Sequence, residues 1–203
     1  MRERFDNKLT DVEESFVDLA DLYLLNFEKF ILYKESPEVL DEIVENETKI
    51  NTKIDFIKDM CYSMMLREAP VASDLRFIQT SMSLASSFRR IYSHLVEACI
   101  ILKEIEHKEP LLDMTGEMFK ILTEMLSNFR KALVDRSDEL AYNTIKMDDQ
   151  VDELFEKSID FAIGKEREKV ISTNELANLI LYFKYFERIG DRLARINSLI
   201  TNL

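Results

Sequence analysis

The feature that most limits how this chain can fold is its shortage of residues that end helices. Only three glycines and three prolines occur among 203 residues. Because glycine and proline end helices and shape tight turns, this scarcity favours a few long helices and disfavours a β fold with many turns. Apolar residues recur at helical intervals, and 13 phenylalanines and 9 methionines can fill a helical core. The sequence therefore predicts an all-α protein.

The charge balance limits the partners that the chain can bind. The net charge of −12 disfavours general binding to nucleic acid or to an anionic membrane, since both carry phosphates. Arg188, Arg192 and Arg195 form a local basic patch, which we interpret as a solvated helix face rather than a nucleic-acid site. No apolar run approaches the roughly 18 residues of a membrane span, so we expect no membrane insertion.

The two cysteines bear on the cellular compartment. Cys61 and Cys99 both lie within apolar helical patterns, so we expect buried, reduced thiols. Such thiols are typical of a cytosolic protein, and the charged start of the sequence does not resemble a signal peptide. The predicted localisation is therefore cytoplasmic.

Breaking and capping residues divide the chain into six predicted helices. Ser36 before Pro37 and Ser137 before an acidic residue are typical helix starts, and Ser172 with Glu175 predicts a capping box. The predicted helices cover about 4–33, 37–67, 73–106, 111–134, 137–164 and 173 to the last residue, with Gly164 as the stop of the fifth. The segment HKEP, 107–110, separates three helices from three and predicts domains at 1–108 and 109–203.

The two halves carry related segments in the same order. FRRIYSHL begins at Phe88 and FERIGDRL at Phe186, while ETKIN begins at Glu47 and DDQVD at Asp148. This order and spacing indicate a tandem duplication. Because amphipathic helices of this length must bury an apolar stripe, each trio should pack as a bundle. The predicted fold is thus all-α, with two tandem three-helix bundles made from six long helices.

Two acidic pairs in the second half are candidate metal ligands. Asp148 and Asp152 lie four residues apart on one helix face, as do Glu187 and Asp191. If the last two helices are antiparallel neighbours, the four carboxylates converge, and hard cations prefer such oxygen ligands. The residues alone leave open a solvated acidic face, which is common in a chain with 39 acidic residues.

Other site patterns are missing from the sequence. It has no Cys-x-x-Cys, no pair of Glu-x-x-His motifs, no G-x-S-x-G, no Walker A loop and no G-x-G-x-x-G. We therefore predict no nucleotide or organic cofactor and no catalytic residues.

The segments APVASDLRFIQ, ETKIN, DDQVD and FERIGD together resemble the PhoU family of phosphate-signalling proteins. The resemblance covers nearly the whole chain and implies two tandem three-helix bundles with acidic motifs on the second and third helix of each. In some relatives these motifs hold iron or zinc clusters, and carboxylates also accept manganese or magnesium. The metal ligands implied here are Asp148, Asp152, Glu187 and Asp191.

The first half departs from that pattern. Glu47 and Asn51 keep one carboxylate, whereas Arg89 and Ser93 replace both acidic residues of the third helix. A permanent guanidinium charge disfavours a cation there. We therefore expect an Arg89–Glu47 ion pair in place of metal, and at most one metal cluster, in the C-terminal bundle.

The resemblance also implies a function. It predicts a cytoplasmic regulatory adaptor, not an enzyme, that acts as a negative regulator of phosphate uptake and phosphate-starvation signalling. The implied partners are the ATPase subunit of a phosphate ABC transporter and a PhoR-type sensor histidine kinase, and the implied assembly is a homodimer. The alternatives are a metal-dependent phosphohydrolase and a metal-free interaction scaffold.

Overall fold

A computed structural model describes residues 2–67, 70–105 and 112–201, and most of these residues are helical with no strand among them. The predicted all-α fold is confirmed. A 3-10 turn at Leu32–Lys34 follows the first helix. The α-helices are α1 Arg2–Ile31, α2 Val39–Arg67, α3 Ala72–Glu104, α4 Leu112–Asp135, α5 Asp138–Ile145, α6 Asp148–Arg167 and α7 Thr173–Ile200.

The fifth predicted helix is divided by a turn into α5 and α6. The amide of Met147 donates to Thr144 O at 3.0 Å, and that of Gln150 donates to Met147 O at 3.1 Å, so the bonding tightens from four to three residues here. As a result Asp148 is the first residue of α6 rather than an interior position. The division therefore places the DDQVD segment at a helix N-terminus.

The helix ends test the sequence predictions directly. Ser137 Oγ accepts from the amide of Leu140 and Ser172 Oγ from that of Glu175, each at 3.2 Å, so both predicted N-caps are confirmed. The predicted stop at Gly164 is wrong, because α6 continues to Arg167. The chain leaves that helix through Lys169, which has a left-handed φ of 59°.

The two predicted trios are present, and they share one core. α1, α2 and α3 pack together, as do α4, α6 and α7, while α3 also packs against α7 and α1 against α4. Phe30 of α1 stacks on Phe119 of α4 with ring centroids 4.4 Å apart, and Phe119 meets the ring of Phe186 edge-on at 5.1 Å. The predicted boundary within 107–110 lies outside the described residues.

Both cysteines are buried free thiols, as expected. Burial raises the pKa of Cys61 to about 11 and that of Cys99 to about 12, so the reactive thiolate is disfavoured at both positions. Within the described ranges, no helix combines the length and the apolar character that crossing a membrane requires.

Candidate metal centre

The predicted ligands lie where α6 packs against α7. Asp148 and Asp152 project from the first two turns of α6, and Glu187 and Asp191 project from the second half of α7. Asp148 and Glu187 are half-buried, while Asp152 and Asp191 are exposed. The packing of α6 on α7 therefore brings the two acidic pairs to one shoulder of the C-terminal bundle.

Asp148 is the most perturbed carboxyl group of this cluster. Its pKa is raised from 3.8 to about 7, first by burial and then by the negative charges of Asp191, Asp152 and Glu187, in that order. Its Oδ1 atom is buried and has no hydrogen-bond partner. A buried acceptor without a donor is costly, so this oxygen is suited to a cation or a proton.

Asp152 is perturbed in the same direction. Burial and the neighbouring charge of Asp191 raise its pKa, while the ammonium group of Lys184 opposes the shift. Because Asp191 acts on both aspartates of α6, the carboxylates of the two helices form one electrostatic cluster.

The close approach of the two helices depends on Gly190. A Cβ atom at this position would lie 2.6 Å from Asp148 Oδ1 and 3.1 Å from Val151 Cγ1. Both distances are shorter than ordinary van der Waals contacts. The repeat-equivalent residue in the N-terminal bundle is Tyr92, so that bundle has no glycine at the position where Gly190 allows the close approach.

Glu187 has a lysine partner on its own helix. Lys184 Nζ lies 2.6 Å from Glu187 Oε1, and the same ammonium group lies 5.0 Å from the ring centroid of Phe155. The second carboxylate oxygen, Oε2, is buried and has no hydrogen-bond partner. Lys184 thus supplies part of the positive charge that this acidic cluster requires.

The side chains do not form a ready coordination sphere. Among the residues that the structure describes, no three Asp, Glu, His or Cys side chains converge closely enough to hold one metal ion. The chemistry of the donor set still fits a hard cation, since Asp148 on α6 and Glu187 on α7 each have a buried carboxylate oxygen without a hydrogen-bond partner. The metal assignment of these four residues stays a prediction.

The N-terminal counterpart differs from the expected ion pair. Arg89 Nη2 bonds Asp55 Oδ1, not Glu47, so the predicted partner is wrong although the α2–α3 pairing is right. Because a helical side chain leans toward the N-terminus of its helix, Arg89 extends back along α3. Arg89 of α3 contacts Asp55 of α2, whereas Tyr92, later in α3, donates to the carbonyl of Ile43, which is earlier in α2. The two helices are therefore antiparallel, and a side chain that leans back along α3 reaches later residues of α2.

Sequence reasoning missed the contributions of Lys184 and Gly190. Lys184 lies three residues before Glu187, a spacing that forms ion pairs on a helix surface, and this signal was available. Gly190 lies inside the FERIGD motif, and its contrast with Tyr92 in FRRIYSHL marked it as a special position. Its clash with Asp148 required the packing of α6 on α7.

The fold and this site define a duplicated pair of three-helix bundles with an acidic cluster confined to the second bundle. The PhoU domain family model matches residues 19–101 and 115–200, one match in each half. The chain therefore belongs to the PhoU family, and the recognition made from its motifs is confirmed.

Individual relatives match along most of their length. The chain is 29% identical over 198 residues to the phosphate-specific transport system accessory protein PhoU homolog 1 of Methanothermobacter thermautotrophicus, covering 96% of this chain and 90% of that protein. It is 26% identical over 201 residues to the corresponding PhoU homolog of Streptococcus pneumoniae, covering 97% and 93%.

Solved structures match the fold. The crystal structure of the phosphate transport system regulatory protein PhoU from Streptococcus pneumoniae gives a TM-score of 0.87 at 23% identity, covering 97% of this chain and 94% of that chain. The crystal structure of PhoU from Pseudomonas aeruginosa also gives 0.87, at 20% identity, covering 97% and 96%. At these identities the likeness shows the shared fold alone.

Proposed function

We propose that this protein is a cytoplasmic, non-enzymatic adaptor that restrains phosphate uptake and phosphate-starvation signalling. It docks to the ATPase subunit of a phosphate ABC transporter and to a sensor histidine kinase. The observation that carries the proposal is the PhoU family match in both halves, together with relatives named as phosphate-specific transport accessory proteins. Docking through helix faces suits this fold, because the packed elements among the described residues are all helices.

The outer surface of α2 offers apolar contacts for such docking. Phe56, Tyr62 and Leu66 are exposed, and Leu66 retains 84% of its accessible surface. Tyr62 and Leu66 lie one turn apart and share a face. Large exposed apolar side chains grouped on one element are typical of interaction surfaces.

We further propose that the C-terminal bundle holds iron or zinc, or alternatively manganese or magnesium, through Asp148, Asp152, Glu187 and Asp191. A bound cation would neutralise carboxylates that repel one another and would link α6 to α7. Its role is structural or supports homodimer formation. The unpartnered buried oxygens of Asp148 and Glu187 support this assignment.

A second candidate is a metal-free scaffold of the same family. The Lys184–Glu187 ion pair favours it, since an internal ammonium group already compensates one carboxylate. The two candidates predict the same partners and differ in the metal content of the purified protein.

Partner capture tests the adaptor function. The tagged protein is expected to retain the importer's ATPase subunit and the sensor kinase from phosphate-replete cells. A variant with Tyr62→Ser and Leu66→Ser should retain less of at least one partner, whereas Val134→Ser, also exposed but on α4, should not. Failure to retain either partner from phosphate-replete or phosphate-starved cells would contradict the proposal.

A further inference from the structure

A basic cleft of about 400 Å³ lies between α3 and α7, on the seam where the two bundles meet. It is separate from the acidic pairs of the candidate metal centre. No carboxylate from the described part of the chain lines it. The lining residues are Met82, Ser83, Ser86, Ser87, Arg90, Arg192 and Arg195.

The three guanidinium groups of this cleft are available to a ligand. Arg89, Arg130 and Arg136 each form an ion pair with a carboxylate. By contrast, Arg90, Arg192 and Arg195 form none within the described residues. Three uncompensated cations in one cleft are unusual in a chain with a net charge of −12.

His94, next to the cleft on α3, reports the same positive potential. Its pKa is lowered from 6.5 to about 4, first by burial and then by the positive charges of Arg188, Arg192 and Arg90, in that order. Its ring also packs against Tyr185, with centroids 5.5 Å apart. His94 is therefore neutral at neutral pH and adds no charge of its own.

The duplication explains how these cations come together. Arg90 in FRRIYSHL and Arg188 in FERIGDRL occupy equivalent positions, and so do His94 and Arg192. Since α3 packs on α7, the two copies of this basic motif meet at one seam. The sequence of the last helix alone suggested that its arginines form a solvated face. The third guanidinium group of the cleft, that of Arg90, comes from the other half of the chain, so the cluster was not visible in that helix.

The serines shape the cleft without supplying its ligand donors. The hydroxyls of Ser83, Ser86 and Ser87 each donate to the carbonyl four residues earlier, at 3.0, 2.9 and 3.0 Å. Their small side chains leave the floor of the cleft open. Binding therefore depends on the guanidinium groups, whose planar donors match the oxygen atoms of phosphate in pairs.

We propose that this cleft binds a phosphate-class oxyanion with at least two negative charges, either inorganic phosphate or the phosphoryl groups of a small phosphate compound. Its volume lies within the range of about 300–1,000 Å³ for small-molecule sites, which leaves room for more than one phosphoryl group. The site does not depend on the proposed adaptor function, and partner capture tests that function separately.

Calorimetric titration of the full chain tests this site with three probes: inorganic phosphate, pyrophosphate and ADP. We expect saturable binding of at least one, at one ligand per chain, and the strongest probe identifies the source of the phosphoryl group. Treating the protein with a chelator before titration removes any contribution from bound metal. The variant Arg90→Gln with Arg195→Gln should weaken binding by at least about tenfold. Arg167→Gln, an exposed arginine at the end of α6, is the matched control and should leave binding unchanged.

The imidazole signal of His94 provides an independent readout. A bound anion should raise the pKa of His94 because it offsets the charges of Arg90, Arg188 and Arg192. The chain has one other histidine, so the variant His107→Gln assigns the signal. The proposal would be overturned by no saturable binding at about 1 mM probe, or by binding that the arginine variants leave unchanged. An equal rise in the pKa of His94 with chloride at the same ionic strength would also overturn it. So would arginine-dependent binding of an acidic peptide without binding of any phosphate probe.

Discussion

Asp148 Oδ1 lies directly against Gly190, so close that a Cβ atom at residue 190 would come within 2.6 Å of this oxygen. The glycine therefore fixes both the distance between α6 and α7 and the position of the most perturbed carboxylate. Asp148 has no hydrogen-bond partner for that oxygen. The packing of one glycine thus determines the geometry of the candidate metal centre.

Replacing Gly190 with alanine should lower metal binding without the usual gain in stability. Alanine in place of glycine inside a helix normally stabilises by about 0.5–1 kcal/mol. Here the added methyl group must displace Asp148 and press on Val151. Gly164→Ala in α6 is the matched control, because nothing lies within 4 Å of its Cβ position, and it should show that gain. Denaturant unfolding and metal analysis of both variants measure the difference, and equal stability gains would contradict the prediction.

The chelated protein should lose stability as the pH rises from about 4 to 7. Folding raises the pKa of Asp148 from 3.8 to about 7, so in this window the folded state holds a proton that the unfolded state releases. Asp148→Asn should flatten this dependence and be more stable than the native chain at pH 8. One pKa unit corresponds to about 1.4 kcal/mol, and solvent screening of this half-exposed carboxyl group reduces the gain to about 1–2 kcal/mol.

Thermal unfolding across this pH range, with and without added divalent metal, measures the effect. Metal should reverse the slope, since only the ionised carboxylate binds a cation. A chelated native chain whose stability rises between pH 4 and 7, with no difference from Asp148→Asn, would contradict the account.

The Arg89–Asp55 ion pair should show a small coupling energy that Glu47 lacks. Both side chains are partly exposed, and such pairs contribute about 0.2–1 kcal/mol. A double-mutant cycle with Arg89→Gln and Asp55→Asn should give a coupling within that range. A cycle with Arg89→Gln and Glu47→Gln should give a smaller coupling energy. A coupling energy larger for Glu47 than for Asp55 would contradict this prediction and support the Arg89–Glu47 pair expected from the sequence.

The two bundles should unfold together because they share aromatic residues. Phe119 of α4 is fully buried and stacks on Phe30 of α1. Phe119→Ala should cost about 3–5 kcal/mol and shift one cooperative transition rather than create two. Leu181→Ala, at a side chain that is 49% exposed, should change stability by no more than about 0.5 kcal/mol. Separate calorimetric transitions for the two halves would contradict the shared core.

Much of the fold was predictable because it depends on local signals. The scarcity of breakers predicted long helices, and the side chains of Ser137 and Ser172 predicted helix starts that the structure confirms. The turn at 146–147 was not predictable, because no glycine or proline lies there. The prediction that the helix ends at Gly164 was wrong, because the left-handed residue that follows the helix is Lys169.

The candidate site was predictable only as far as helical spacing reaches. Spacing placed Asp148 with Asp152 and Glu187 with Asp191, and adjacent helices brought the pairs together. The partner of Arg89 depended on the direction of its side chain and on antiparallel packing, which spacing does not give. The meeting of Arg90 with Arg192 required the packing of one bundle on the other.

The metal content of the purified chain tests the central claim most directly, namely that only the C-terminal bundle retains a metal site. Elemental analysis should find iron, zinc or another divalent metal in the native chain, and Glu187→Ala with Asp191→Ala should remove it. Glu47→Ala with Asn51→Ala, at the equivalent pair of the N-terminal bundle, should leave the metal content unchanged. Metal that survives the first pair of substitutions, or disappears with the second, would contradict the account.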